Sequence, residues 1–243
     1  MSPSDPAGVA IAISFVLGTR GRTTQVVEAL KAWTGAQSRA AWEIVVVDNN
    51  ADDQTWDALQ EWRGRLPLRL IRERRPGVAR ARNRAFPVTT GVVVAVIDDD
   101  CYPAPALVDG WIDVFADKRI DFAAGRIELF DPDDLPVTIK TATDPAWYPP
   151  FSYIPPGELH SASMAFRRQV LIDTGPFDPD LGPGSSFRSG EDTELFQRAS
   201  LLGYTGCYSP EAVVWHHHGR RAADYPGRSR YFGQPAGGTA DPF

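Results

Sequence analysis

Asp98, Asp99 and Asp100 stand in a row directly after the apolar run 92–97, Val-Val-Val-Ala-Val-Ile. Carboxylates so placed repel: two unit charges about 4 Å apart cost roughly 1 kcal/mol in water and roughly 4 kcal/mol at a partly buried site. A divalent cation reverses the sign of that term, and oxygen-rich clusters suit Mg²⁺ or Mn²⁺. A β-branched run that is apolar on both faces reads as a buried parallel strand. Open α/β sheets bind ligands just beyond the carboxyl ends of such strands. The competing interpretation is a solvated acidic turn. Position at the end of a core strand weighs against it.

Four other clusters carry candidate chemistry. Asp48-Asn49-Asn50 follows the apolar run 44–47. A carboxylate there can accept from a ring imide N–H, or the same residues can form an Asx-turn or cap the next helix. The basic stretch Arg69, Arg72, Arg74, Arg75, Arg80, Arg82 and Arg84 places Arg80 and Arg84 on one helix face, with Arg82 pointing elsewhere. Guanidinium groups near a helix start at Gly77 suit a diphosphate; for most of these arginines a solvated face is the preferred reading. Gly190-Glu191-Asp192-Thr193-Glu194-Leu195 opens a helix. First-turn acids are commonly dipole partners worth about 0.3–1 kcal/mol, whereas a carboxylate held over a bound sugar could act as a general base. His216-His217-His218 follows residues 213–215. Strand alternation sends His216 and His218 to one side, where a neutral imidazole could ligate a metal.

The elements that must position these groups alternate along the first half. Strands are expected at 9–17, 43–47, 68–71 and the run ending at Asp98. Helices are expected from Thr23, whose side chain could cap, from about Asp53, and over 78–86. Such strand-helix-strand units predict an α/β, mostly parallel, wound sheet flanked by helices. Residues 131–157 read as a long surface loop bearing Trp147, Tyr148, Phe151 and Tyr153. Later elements are a strand at 163–166, a helix from Arg168, a helix over 191–202 and a short strand at 213–215. Residues 1–8 and 221–243 read as flexible ends of a single domain over 9–220.

Composition bounds the function. A chain of 243 residues can bury a real core, and 43% hydrophobic with 23% charged residues is ordinary for a globular protein. Net charge −6 argues against nucleic-acid binding by the whole chain. No apolar stretch approaches the roughly 20 residues of a membrane span. The start of the chain lacks the charged and apolar regions of a signal peptide. Cys101 and Cys207 give no disulfide framework and read as reduced core residues of a cytoplasmic protein.

The order of the motifs is more specific than any one of them. Phe15-Val16-Leu17-Gly18-Thr19-Arg20, Val46-Val47-Asp48-Asn49-Asn50, Pro76 through Asn83 and Ile97-Asp98-Asp99-Asp100 come first. Met164-Ala165-Phe166-Arg167-Arg168, Gly175-Pro176-Phe177-Asp178 and the Gly190 to Leu195 segment follow. In this sequence the chain resembles the family 2 glycosyltransferases with the GT-A fold, over roughly residues 9–220. The resemblance implies an inverting, metal-assisted transfer from a nucleotide-diphosphate sugar, a UDP-sugar by preference, with 9–100 as the nucleotide-binding half and 101–220 as the acceptor-binding half. It places Thr19 and Arg20 in the first donor loop and Asp48 against the base. Arg82 and Asn83 fall on the nucleotide side. Asp98 and Asp100 match the two acids of the Asp-X-Asp motif, the first nearer the ribose and the last on the metal, with Asp99 between them on the donor side. Asp192 matches the base, with Glu191 supporting it or contacting the acceptor, and His216 a histidine near Mn²⁺ or Mg²⁺ and the diphosphate. Two departures are Gly18, where many relatives carry proline, and Asn49-Asn50 in place of Asp-Gly-Ser.

The acceptor is left open: a saccharide, a lipid-linked or a small-molecule hydroxyl, with specificity expected in the 131–157 loop. A nucleotidyltransferase would share the wound sheet and acidic metal site but has no use for Glu191-Asp192 late in the chain. A non-catalytic nucleotide-sugar binder has no need of a base.

Overall fold

A computed structural model describes residues 10–49, 52–221 and 223. The expected ends 1–8 and 222–243, save residue 223, and Asn50 of the second polar cluster lie outside the described residues. The first half runs β1 (Ile13–Thr19), α1 (Thr23–Trp33), β2 (Trp42–Asn49), α2 (Asp53–Gln60), β3 (Leu68–Glu73), α3 (Val78–Ala85) and β4 (Val93–Ile97). The second half runs β5 (Cys101–Pro103), α4 (Leu107–Ala116), β6 (Phe122–Leu129), β7 (Ala146–Tyr148), β8 (Ser163–Arg167), α5 (Arg168–Thr174), α6 (Glu191–Leu201) and β9 (Gly206–His216).

Among the described residues the nine strands join one sheet in the order β3-β2-β1-β4-β8-β6-β9-β5, with β7 paired to β9. From β3 to β4 the sheet is parallel, as the strand-helix repeats require. Beyond β4 it becomes mixed, because β8 runs antiparallel to both β4 and β6. Alternation along the central strands sorts side chains into two cores. Phe15, Leu17, Ile44, Val46, Ala95 and Ile97 face a layer containing Leu30 and Trp33 of α1, Leu59 of α2 and Trp111 of α4. Val16, Val45, Val47, Val94 and Val96 face the other layer, with Ala81 of α3, Val170 of α5 and Phe196 of α6. Both faces of the sheet are therefore covered, which is why β4 is buried at every position.

Several local expectations change. Thr23 is the first residue of α1 and not its cap, and its hydroxyl pairs with that of Thr55 at 2.6 Å; Arg22 holds the cap position, with no side-chain bond to the helix amides. The strand expected at 213–215 is the end of an 11-residue strand. The segment 101–129, left without elements by the sequence pattern, forms β5, α4 and β6. In β6 a register shift falls between Gly125 and Arg126, and a Cβ at Gly125 would come within 2.3 Å of the Ala212 carbonyl. Glycine is the residue that admits that approach. The 131–157 loop is interrupted by β7, whose Tyr148 is buried, while Phe151 and Tyr153 are exposed. Arg221, at the start of the expected tail, is ion-paired to Asp131 at 2.7 Å. Among the described residues no helix is long and apolar enough to cross a membrane.

At the amino ends of the central strands a buried carboxylate ties three segments together. Glu43 accepts from the Ser14 hydroxyl and from the amide and hydroxyl of Thr90, each at 2.7 Å. Burial opposes its ionisation, but these donors outweigh it and lower its pKa. A carboxylate depressed in the folded state stabilises above its unfolded value and loses that contribution as pH falls through the folded value. Glu43→Gln should cost about 1–3 kcal/mol at neutral pH. The gap to wild type should narrow in acid, below about pH 4, as wild-type Glu43 takes up its proton. Urea titrations at the two pH values check this; equal midpoints at neutral pH would refute it.

Candidate active site

β1 leads to β2 on one side, and β4 lies on its other side, so the order of strands reverses between β1 and β4. Ligands bind at such a switch point, beyond the carboxyl ends. There the structure opens a cleft of about 510 Å³ lined by Thr19 and Asn49 at the ends of β1 and β2, and by the three aspartates after β4. Glu191, Asp192 and His216 line it from the second half.

The aspartates differ in environment. Asp98 keeps a third of its side chain exposed and meets Arg82 at 3.3 Å. Asp99 accepts from the Thr19 hydroxyl at 2.6 Å and pairs with Arg22 at 2.8 Å. Burial nevertheless pushes it up to about 7, with Arg22 and Thr19 pulling the other way. Asp100 pairs with Arg22 at 2.6 Å through Oδ2, and its Oδ1 lies 3.3 Å from His216 Nε2. Burial works against its charge, but His216 and Arg22 hold it well below the usual carboxylate range. His216 is raised in turn: burial disfavours the imidazolium, and Asp100 overcomes that.

Asp100 Oδ1 and His216 Nδ1 are buried without hydrogen-bond partners. Together with Cys101 they place an oxygen, a nitrogen and a sulfur within 4.8 Å of one another, a group of metal-type donors among the described residues. The Asp100 carboxylate fits Mn²⁺ or Mg²⁺, and the His216 imidazole, a softer donor, favours the transition metal of the two. Burial keeps the Cys101 thiol far above its ordinary pKa and therefore protonated.

Opposite lies the start of α6. Asp192 accepts from the Ser161 amide at 3.0 Å through Oδ2 and from the Thr193 amide at 2.7 Å through Oδ1. The carboxylate thus satisfies a first-turn amide and is also fixed from another segment, aimed at the cleft. Glu191 is buried, and Arg82 Nη1 donates to it at 3.0 Å. Its pKa is raised by burial, with Arg82 opposing. The loop before α6 packs on the start of α3, where Val78 donates to the Pro183 carbonyl at 3.1 Å. At Gly182, φ is +84° and a Cβ would stand 2.8 Å from the Glu191 carboxyl carbon; only glycine closes that loop.

Residues 20–173 match glycosyl transferase family 2. The chain belongs to that family. It is 22% identical over 215 residues to glycosyltransferase AglE of Haloferax volcanii, covering 84% of this chain and 66% of that protein. It is 28% identical over 114 residues to dolichol-phosphate mannosyltransferase of Pyrococcus furiosus, covering 46% of this chain and 32% of that protein. Among solved structures, mannosyltransferase PcManGT from Pyrobaculum calidifontis, in complex with GDP-Man and Mn²⁺, superposes with TM-score 0.63 at 22% identity over 87% of this chain and 60% of that one. S. aureus TarS 1-349 in complex with UDP gives TM-score 0.68 at 20% identity over 84% of this chain and 60% of that one. The chain thus spans two thirds or less of these relatives' own lengths. The structural likenesses establish the GT-A fold.

In this family 2 chain the expected residues separate into those at the cleft and those behind it. Thr19, Arg20, Arg82, Asp98, Asp99, Asp100, Glu191, Asp192 and His216 line it. Asn83 does not: its side chain exchanges two 2.8 Å bonds with the Phe177 backbone and ties α3 to the loop before α6. Asp48 is buried and paired to Arg72 at 2.9 Å, whose guanidinium lies over Trp56. Of the histidines, His218 bonds to the Leu135 carbonyl at 2.8 Å and His217 to Tyr102 at 3.0 Å, leaving His216 to face Asp100. Arg22, His160, Arg188 and Arg220 also line the cleft and escaped the sequence pattern. The signal for Arg22 was present in its place three residues beyond Thr19; the others sit in irregular segments with no period to read.

Arg82 is 2% exposed, so its removal strands Glu191 in the interior. Arg82→Met should destabilise by about 3–5 kcal/mol, and adding Glu191→Gln should restore part of that loss. Denaturant unfolding of the two variants decides it: a single variant as stable as wild type would show that the pair is solvated.

Proposed function

We propose that this protein transfers a sugar from a nucleoside-diphosphate sugar to an acceptor hydroxyl, with inversion at the anomeric carbon. The observation that carries the reading is the opening of one cleft onto both Asp98–Asp100 and Asp192. The proposed nucleotide is UDP, in keeping with the nucleotide bound by TarS. Thr19, Arg20 and the Arg82–Asp98 pair form the donor side. Asp100 and His216 are the residues that would hold Mn²⁺ or Mg²⁺, which when bound would supply Lewis-acid neutralisation of the leaving diphosphate.

Asp192 is the proposed general base. Its carboxylate, oriented by the Ser161 and Thr193 amides, takes the acceptor hydroxyl proton as the oxygen attacks the anomeric carbon. The new carbon–oxygen bond forms on the face opposite the departing phosphate oxygen, so one displacement inverts the configuration. His160 lines the same wall; burial lowers its pKa, with Asp192 partly offsetting, so it stands as a neutral hydrogen-bonding group toward the acceptor. Glu191, satisfied by Arg82, fixes the helix start that carries Asp192. The acceptor is proposed to be a saccharide, lipid-linked or small-molecule hydroxyl, and the setting cytoplasmic, which two buried free thiols fit.

Two variants test this. Asp192→Asn should fold as wild type does but lose about 1 kcal/mol, since its single amide oxygen can accept from only one of the Ser161 and Thr193 amides. It should retain donor binding yet lose about 10²-fold or more in transfer. Near wild-type turnover would move the base elsewhere, with Glu191 the next candidate. Asp100→Asn should weaken Mn²⁺-dependent UDP binding in calorimetry while leaving the fold intact. UDP affinity indifferent to metal, or a GDP-sugar that binds more tightly, would overturn the metal or nucleotide assignment respectively. Pyrophosphate exchange in place of sugar release would indicate a nucleotidyltransferase.

A further inference from the structure

The group that neutralises Asp99 and Asp100 here is a side chain. Arg22 spreads its guanidinium over both carboxylates, Nη1 2.8 Å from Asp99 and Nη2 2.6 Å from Asp100. Its backbone is fixed at the start of α1, where the Val26 amide donates to its carbonyl at 3.0 Å. The side chain itself is 39% exposed and lines the cleft. We infer that Arg22 is the resident counter-ion of the metal site, competing with the divalent cation for Asp100 and passing to the donor's diphosphate when both ligands are bound. This inference rests on the reading that Asp100 takes Mn²⁺ or Mg²⁺.

The physical reason lies in how the oxygens of Asp100 are divided. Oδ2 is held by Arg22, while Oδ1 faces His216 without a hydrogen bond. A cation entering beside Oδ1 shares one carboxylate with a guanidinium, and two positive charges so close at a partly buried site repel. A guanidinium fork matches a diphosphate as well as it matches paired carboxylates. The anion therefore offers Arg22 a second partner within the same cleft. Withdrawal of Arg22 from Asp100 strengthens the cation's hold, and by reciprocity the cation strengthens the anion's. Metal and donor are then coupled through this side chain. Arg188 also lines the cleft and makes no ion pair with the three aspartates, so it serves as a control for unspecific charge effects.

The test measures Mn²⁺ affinity of the full chain by the paramagnetic resonance signal of free Mn²⁺, first without nucleotide and then with inorganic pyrophosphate. The free Mn²⁺ is corrected for chelation in solution. Arg22→Gln should tighten Mn²⁺ binding alone by about tenfold, the order of effect expected on removing one neighbouring charge. Arg188→Gln should change it much less. Arg22→Lys, which keeps the charge, should stay near wild type. Pyrophosphate should raise Mn²⁺ affinity in wild type and do so distinctly less in Arg22→Gln. If Arg22→Gln gains no more than Arg188→Gln, or keeps the full pyrophosphate coupling, the inference falls and the metal assignment stands. If no variant binds Mn²⁺, the metal assignment falls and takes the inference with it.

Discussion

Arg82 is the charge on which the rest of the site depends. It is a fully buried guanidinium on α3, meeting Asp98 on one side and Glu191 on the other, with its cation over the Phe177 ring. A buried guanidinium is costly unless its donors are used, and a buried Glu191 is costly unless a cation meets it. Each makes the other tolerable. The pair also joins the two halves of the sheet across the cleft: α3 lies between the parallel strands β3 and β4, and α6 precedes the last strand. The start of α6, and therefore Asp192, is located by a charge from a distant part of the chain.

The same accounting holds at the aspartate end. Three adjacent carboxylates after β4 cannot all be charged at ordinary cost, and the structure resolves the conflict unequally. Asp100 is driven to ionise by Arg22 and His216, and burial moves Asp99 toward neutrality despite Arg22 and Thr19. Asp98 takes the solvent-facing position beside Arg82. Three residues of one type thus acquire three different roles from position alone. Those positions follow from strand pairing: β4 ends beside β1, which brings Thr19 to Asp99, and β9 ends beside β5, which brings His216 to Asp100.

Loops complete what the strands begin. Asn83 is spent entirely on the Phe177 backbone, so the segment leading to α6 is tied to α3 as firmly as by a strand pair. Gly182 then lets that segment pass against Glu191 without a Cβ in the way. Neither residue touches the cleft, yet both set where Asp192 points. His218 plays a similar part at the end of β9. Its ring nitrogens are taken by Leu135 and Arg220, and burial lowers its pKa, which holds the chain as it leaves His216.

The sequence alone determined the parallel half and its chemistry, because local composition decides both. A strand buried on both faces must be mostly apolar, so 15–17, 44–47 and 93–97 were readable. The polar groups at their carboxyl ends stood out against that background. The second half was decided by tertiary structure. In β6, Gly125 and Arg126 interrupt any strand pattern, and its place comes from pairing with β8 and β9, residues some 40 to 90 positions away. The site divides along the same line. Asp98, Asp100, Asp192 and His216 were legible as residues in ordered motifs. That Asn83 binds backbone, that Asp48 is closed off by Arg72, and that Arg22 lies across two aspartates were not. Hydrogen bonds and ion pairs are contacts between distant segments, and no local pattern records which partner a charged or amide side chain will meet.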